Sequence, residues 1–221
     1  MARIMNEKLK VAVLVENHPY DVVKFQKMFA SFDDCDCYTQ PLDLFLRDAD
    51  NRSAYDTAVY YNMNNPIPKE GSLIDKYMKK EIGAGKQGAI FLHHALLSFQ
   101  GWELFTEICG LRVRGENSNF KYTQNQEVNL KIINDSHPIT SGVGDFTIID
   151  ETYILGEPDE AGNQILLTTD NETSFKNVGW ARQYKNSRIF SFASGHDYRV
   201  YENSGYRRIL HNAILWASGK I

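Results

Sequence analysis

The sequence predicts an α/β protein, a three-layer α/β/α sandwich on a mostly parallel sheet with an antiparallel extension. Three observations carry that expectation. Apolar runs too continuous for a half-exposed strand alternate with stretches whose apolar residues recur at helical spacing. Gly88-Ala89-Ile90-Phe91-Leu92 runs straight into His93-His94-Ala95-Leu96-Leu97, with Trp102, Phe105 and Ile108 following at helical spacing, a strand feeding a helix as in a βαβ unit. After Gly110 the alternation gives way to strand-like runs alone. At 221 residues the chain is long enough for one such domain over residues 1–221, with no linker or repeat dividing it.

In order, Lys8 to Glu16 is apolar on both alternating faces and reads as a central parallel strand. Asp21 to Phe32 places Val22, Phe25, Phe29 and Phe32 on one helical face. Cys35 to Thr39 is a short second strand, and Leu42 to Leu46 opens a weaker helix. Thr57 to Tyr61 is the third strand, closed by Asn62. The next helix carries Leu73, Ile74, Tyr77, Met78 and Ile82 and stops at Gly83-Ala84-Gly85, where glycine supplies a left-handed cap. Gly88 to Leu92 is the fourth strand. Glu127 to Ile133, Phe146 to Ile149, Gln164 to Thr168 and Val178 to Tyr184 form the antiparallel extension or flap. Arg188 to Ala193 is the last buried strand, and a helix from Asn203 or Ser204, with Ile209, Leu210, Ala213, Ile214 and Ala217 on one side, ends at Gly219.

Four of the six histidines, His18, His93, His94 and His196, fall within two residues of the carboxyl end of a predicted parallel strand. In open α/β sheets that edge collects ligands. Glu151 follows a strand-like run, and Asn62 closes strand three. Imidazoles and a carboxylate on one rim can act as general acid and base, or as ligands of a divalent metal such as zinc, with His93, His94 and His196 as the metal set. His18, His93 and His196 are therefore expected to open on one cleft, with Gly88 and Ala95 in contact at the turn. A histidine closing a strand is otherwise a hydrogen-bonded loop residue. His137 is expected to hold a turn and His211 to pack in the last helix. Tyr61 and Trp180 are candidate apolar platforms for a ligand, and Arg182 is a candidate for binding hydroxyls or a carboxylate.

The composition is 43% hydrophobic and 24% charged with a net charge of −4, a balance that does not point to nucleic acid, which would favour a basic face. No run approaches the ~20 apolar residues of a membrane helix, and Met1 to Lys10 lacks the apolar core of a signal peptide. The odd count of three cysteines, Cys35, Cys37 and Cys109, fits a reducing compartment, so a cytoplasmic protein is expected. Assembly as a homo-oligomer is left open.

Gly85-Lys86-Gln87-Gly88-Ala89-Ile90-Phe91-Leu92-His93, Trp102, Gly110, His137-Pro138-Ile139 with Gly142, Asp150-Glu151-Thr152-Tyr153, Val178-Gly179-Trp180-Ala181-Arg182, Gly195-His196 and Asn212-Ala213-Ile214-Leu215-Trp216 occur in this order. Together they resemble the ThuA-like (trehalose utilisation) family. The resemblance implies a fold similar to the class I glutamine amidotransferases, flavodoxin-like sandwiches whose nucleophilic cysteine sits in a sharp strand-to-helix turn. Here that position holds His93 or His94, and the place of the amidotransferase His and Glu looks like His196-Asp197. Thioester chemistry on glutamine therefore does not carry over. Members of the family carry a further histidine in the segment matching Gly115 to Tyr122, where this chain reads Asn119-Phe120-Lys121-Tyr122.

The resemblance implies sugar catabolism. Two readings follow. One is an enzyme acting on a disaccharide or oxidised sugar derivative through His93, His94 and His196 with Asp197 or Glu151. The other is a non-catalytic sugar-binding or regulatory protein with a degenerate amidotransferase-like cleft. A flavodoxin-like electron carrier is disfavoured, since no phosphate-binding loop follows strand one.

Overall fold

A computed structural model describes residues 7–111, 121–158 and 161–221. The segment that departs from the family pattern lies mostly in 112–120, outside the described residues. The parallel strands are β1 (Leu9–Glu16), β2 (Cys35–Pro41), β3 (Thr57–Asn62), β4 (Gly88–Leu92) and, late in the chain, β9 (Ser187–Phe192). Between β4 and β9 come β5 (Lys121–Ile132), β6 (Phe146–Ile154), β7 (Gln164–Thr168) and β8 (Gly179–Tyr184). The sheet order is β2-β1-β3-β4-β9-β8-β7-β5-β6, parallel through β9 and antiparallel beyond it. The parallel half thus has the flavodoxin-like order, with its switch point between β1 and β3.

Among the described residues six helices cover the sheet: α1 (Val22–Ala30), α2 (Leu42–Arg47), α3 (Leu73–Lys80), α4 (Glu103–Cys109), α5 (Tyr198–Glu202) and α6 (Ser204–Ala217). α1 and α6 each touch α5 on one face, and α2 and α4 each touch α3 on the other, which makes three layers. Every residue of β3 and β4 is buried, as is Val11 to Leu14 of β1, so the continuous apolar runs are strands sealed on both sides. Each buried valine, leucine, isoleucine or phenylalanine among them contributes about 1.5–3 kcal/mol by leaving water. α1 starts where Asp21 accepts the Lys24 N–H, and α6 where Asn203 accepts the Tyr206 N–H. Among the described residues no helix is long and apolar enough to cross a membrane.

Four expectations change. β4 does not feed α4 directly: a 3-10 turn, His93–Leu97, and a further loop intervene, and Trp102 precedes the helix. His93 takes a left-handed φ of 48°, which a continuous helix cannot accommodate. Gly88 contacts α6 and not Ala95, because it opens β4 at the amino edge; a Cβ there would lie 2.3 Å from the Ala217 carbonyl oxygen. β5 begins at Lys121 rather than Glu127, its first half being too polar and exposed to show apolar alternation. β6 continues through Asp150 and Glu151 to Ile154, so Glu151 lies within a strand rather than after one.

Candidate active site

β1, β4 and β9 end on one rim and deliver His18, His93, His94 and His196 to it. His18 stacks on His94 with ring centroids 4.0 Å apart, and His196 lies 5.2 Å from His18 and 5.1 Å from His93. The antiparallel extension curls back over this rim, so that β6 brings in a carboxylate. Glu151 Oε1 is 3.5 Å from His93 Nε2 and 3.7 Å from His196 Nδ1. Strand alternation puts Glu151 and Tyr153 on the same face of β6. The Tyr153 hydroxyl meets His93 Nε2 at 2.5 Å.

Each imidazole is oriented by the backbone. A carbonyl only accepts, so His93 Nδ1 donates to Ala193 O at 2.8 Å, His94 Nε2 to Tyr61 O at 3.0 Å, and His18 Nδ1 to Pro19 O at 2.8 Å. His94 is fully buried, and its Nδ1, like that of His196, lacks a hydrogen-bond partner. Burial lowers the His94 pKa to about 2, with His93 and His18 adding repulsion, so His94 is a neutral ring. Burial likewise lowers His18, aided by His196, and lowers His196, aided by His93. For Glu151, burial pushes the carboxyl up, but interactions with His93, the Tyr153 hydroxyl and His196 outweigh it and hold it at about 2. Glu151 is therefore an anion beside two imidazoles, placed to stabilise a positive charge on either.

The loop carrying His196 is fixed from below. Asp150, on the other face of β6, accepts the backbone N–H groups of Gly195 (2.7 Å), His196 (2.9 Å) and Asp197 (3.0 Å). Burial raises the Asp150 pKa, while His93 and the backbone donors of this loop oppose the rise. Gly195 has φ 127°, and a Cβ there would sit 2.5 Å from the Tyr206 hydroxyl, so this turn tolerates only glycine. Asp150 and Tyr153 were missed as site residues. Tyr153 was signalled by its two-residue spacing from Glu151, whereas nothing local ties Asp150 to a loop 45 residues on.

Other candidates are placed differently. The Asp197 carboxylate caps α5 and pairs with the Arg199 guanidinium at 2.6 Å, so it is committed outside the imidazole cluster, where Glu151 stands instead. Trp180 is fully buried and donates its indole N–H to Cys109 O, leaving no face for a ligand. Arg182 pairs in register with Ile189, three residues below the rim residue Phe192, and packs on Gly110 and Gly162. Tyr61 is buried under His94 with its hydroxyl bonded to Gly195 O and Tyr201, so it supports the imidazoles and offers no open platform. Asn62 is also buried and donates to Asn64 Oδ1, which ties down the neighbouring loop. His137 accepts the Ile139 N–H in a turn, and His211 stacks on Phe32 and pairs with Asp34.

For a metal, the geometry at the rim collects two trios that share His196 (His93, Glu151 and His196; His18, His94 and His196), and among the described residues a third, Asp34, Cys35 and His211, lies away from the rim, with ligand atoms within 4.8 Å of one another in each. The expected set His93, His94 and His196 is not one of them. A His94 ring nitrogen lies within 4.8 Å of ring nitrogens of His18 and His196, and Glu151 takes the place beside His93.

A model of the ThuA family, described as trehalose utilisation, matches residues 15–217. The chain belongs to the ThuA family. A ThuA-like protein from Parabacteroides merdae superposes with a TM-score of 0.76 at 20% identity, covering 96% of this chain and 91% of that one. Another from Bacteroides uniformis gives 0.68 at 17% identity, covering 98% and 94%. A glutamine amidotransferase from Thermotoga maritima gives 0.52 at 9% identity, covering 96% and 99%, a likeness of fold alone. No curated protein matches. In this ThuA protein the sharp turn after β4 is occupied by His93, in a conformation that costs a non-glycine residue about 1–3 kcal/mol.

The depressed imidazoles predict a pH dependence. The unfolded chain binds protons near pH ~6.5 that the folded histidines refuse, so stability is full above that pH and falls as pH drops toward the lowered folded values. Glu151 acts in the same direction below its ordinary value of 4.5. Thermal melting against pH should show this decline, and His94→Gln should flatten it between pH ~6.5 and ~4.5. Equal slopes for parent and variant would contradict the assignment of His94 as a neutral ring.

Proposed function

We propose that this ThuA-family protein acts on a carbohydrate, a disaccharide or an oxidised sugar derivative, by histidine-based acid/base chemistry at the imidazole rim. The observation that carries the reading is the Glu151 carboxylate lying between His93 and His196, the first fully buried and the second a quarter exposed. His196 is the group that meets the substrate and takes or gives the proton. Glu151 stabilises the imidazolium so formed, and His93 with Tyr153 completes the relay. Such a unit suits proton abstraction beside a sugar carbonyl, or hydrolysis. The family description as trehalose utilisation supports a sugar as substrate.

Release of ammonia from glutamine is not part of the reading. The turn after β4 holds an imidazole where that chemistry needs a thiol, and Cys109 is fully buried with its thiol pushed up to about 11 by burial. A cytoplasmic setting is supported by three unpaired thiols. The test is turnover or binding of a panel of disaccharides and their oxidised forms by the parent and by His93→Ala, His94→Ala and His196→Ala. Loss in the His93 and His196 variants supports the reading, and no change in any variant removes it.

A metal-assisted version is favoured by one observation, the unpartnered Nδ1 of His196 beside a carboxylate and a second imidazole. Two imidazoles and a carboxylate are the donor set of a catalytic zinc site, and the metal would supply Lewis acidity there. Zinc titration into chelator-treated protein should show uptake of about one equivalent, lost in Glu151→Gln and weakened below pH ~6.5 as the ligands protonate. No uptake would leave the metal-free relay.

A further inference from the structure

The third group of donors lies at the opposite edge of the sheet from the imidazole rim, where the chain leaves α1 and enters β2. Cys35 opens β2 in register with Leu9, the first residue of β1, so it stands at the amino edge. Asp34 precedes it in the turn, and His211 reaches both from α6. His211 Nε2 lies 2.7 Å from Asp34 Oδ1, and the Cys35 thiol donates to the same oxygen at 3.4 Å. The three donor atoms fall within 4.8 Å of one another. Zinc bonds of about 2.0–2.3 Å set the ligand atoms of a tetrahedral site roughly 3.3–3.6 Å apart, so these groups need move by only about 1 Å to share an ion.

The surroundings suit a cation. The His211 ring is held by stacking on Phe32, with centroids 4.9 Å apart and planes at 17°. Cys35 is buried, while Asp34 is exposed and leaves a way in from solvent. Asp33, Asp34 and Asp36 place three carboxylates within four residues of chain. Beside them lies a cavity of about 440 Å³, in which Lys8 is the one lysine or arginine among the described lining residues, already paired with Asp36 at 3.4 Å. Cys37, two residues along the same face of β2, lines this cavity with Cys35, and a water entering from it can fill the fourth position of a tetrahedral ion. An ion pair of Asp34 with His211 needs no buried thiol on the shared oxygen, whereas carboxylate, thiolate and imidazole together are a zinc donor set. The rim chemistry uses none of these residues.

We propose that Asp34, Cys35 and His211 form a binding site for a zinc-type divalent cation, separate from the rim, that ties the start of β2 to α6. On binding, the Cys35 thiol proton passes to solvent as the sulfur–metal bond forms, and the imidazole presents Nε2 without its proton. Cobalt(II) is the probe, because thiolate ligation gives a near-ultraviolet charge-transfer band that the imidazoles and carboxylate of the rim cannot give. Reduced full-length protein under argon is titrated with cobalt(II), then zinc(II), as the parent, Glu151→Gln, Cys35→Ser, His211→Gln and Cys109→Ala, each checked for an unchanged fold by circular dichroism. The parent, Glu151→Gln and Cys109→Ala should develop the band, saturating at about one equivalent and abolished by zinc. Cys35→Ser should show no band, and His211→Gln should bind cobalt about tenfold or more weakly. Zinc should raise the Tm of Glu151→Gln, and should not do so once Cys35→Ser is added to it. No band in the parent overturns the site, as does a band kept in Cys35→Ser or an affinity unchanged in His211→Gln. A band lost in Glu151→Gln overturns it too, since the ion would then belong to the rim.

Discussion

Glu151→Gln is expected to lower turnover of whichever sugar the rim accepts by roughly 10²–10⁴-fold, the usual share of a positioned acid/base system. Glutamine keeps the size of the side chain and removes the anion. The carboxylate is held at about 2 because it sits with His93, Tyr153 and His196, and any imidazolium formed during reaction loses its counter-charge when that anion is gone. KM should move much less than kcat, since the interaction strengthens only when a proton is transferred. A kcat within threefold of the parent would place Glu151 outside the chemistry.

Asp150→Ala should have the largest effect on stability. The carboxylate satisfies three backbone N–H groups, one of them in fully buried surroundings, and alanine leaves all three without acceptors. At about 1–3 kcal/mol for each unsatisfied buried donor, a loss of at least ~3 kcal/mol is expected. For a chain of this size that is a fall in Tm of roughly 6–12 °C. Activity should fall further than the folded fraction does, because the freed loop carries His196. Asp197→Ala is the control: it removes a helix cap, worth ~1 kcal/mol, and leaves the Asp150 bonds in place. Equal losses in the two variants would show that Asp150 does not hold the loop.

The parallel half of the fold was legible because its strands are buried on both faces, and burial forces the continuous apolar runs of β1, β3, β4 and β9. The rim histidines were legible for the same reason, since a polar pair such as His93-His94 ending a sealed strand marks its carboxyl edge. The extension was harder to read. The first half of β5 is solvent-exposed and carries no pattern, and β6 holds polar site residues where apolar alternation would otherwise mark a strand. That is why Glu151 was found but Asp150 and Tyr153 were not. Trp180 and Arg182 were misplaced because alternation fixes the face of a side chain but not its height along the strand, and burial at Trp180 depends on α4 packing over it. Asp197 looked catalytic from its neighbour His196; one residue along the chain turned it into a helix cap.

If His93, Glu151 and His196 act as one unit on a sugar, their removals cannot add. The measurement is kcat/KM on the best disaccharide or oxidised sugar of the panel for Glu151→Gln, His196→Ala and the double variant, with folding checked in each. Each single variant should lose about 10²-fold or more, and the double variant should lose little beyond the worse of the two. Unchanged kcat/KM in both singles, or a double loss equal to the product of the two, would contradict the shared relay.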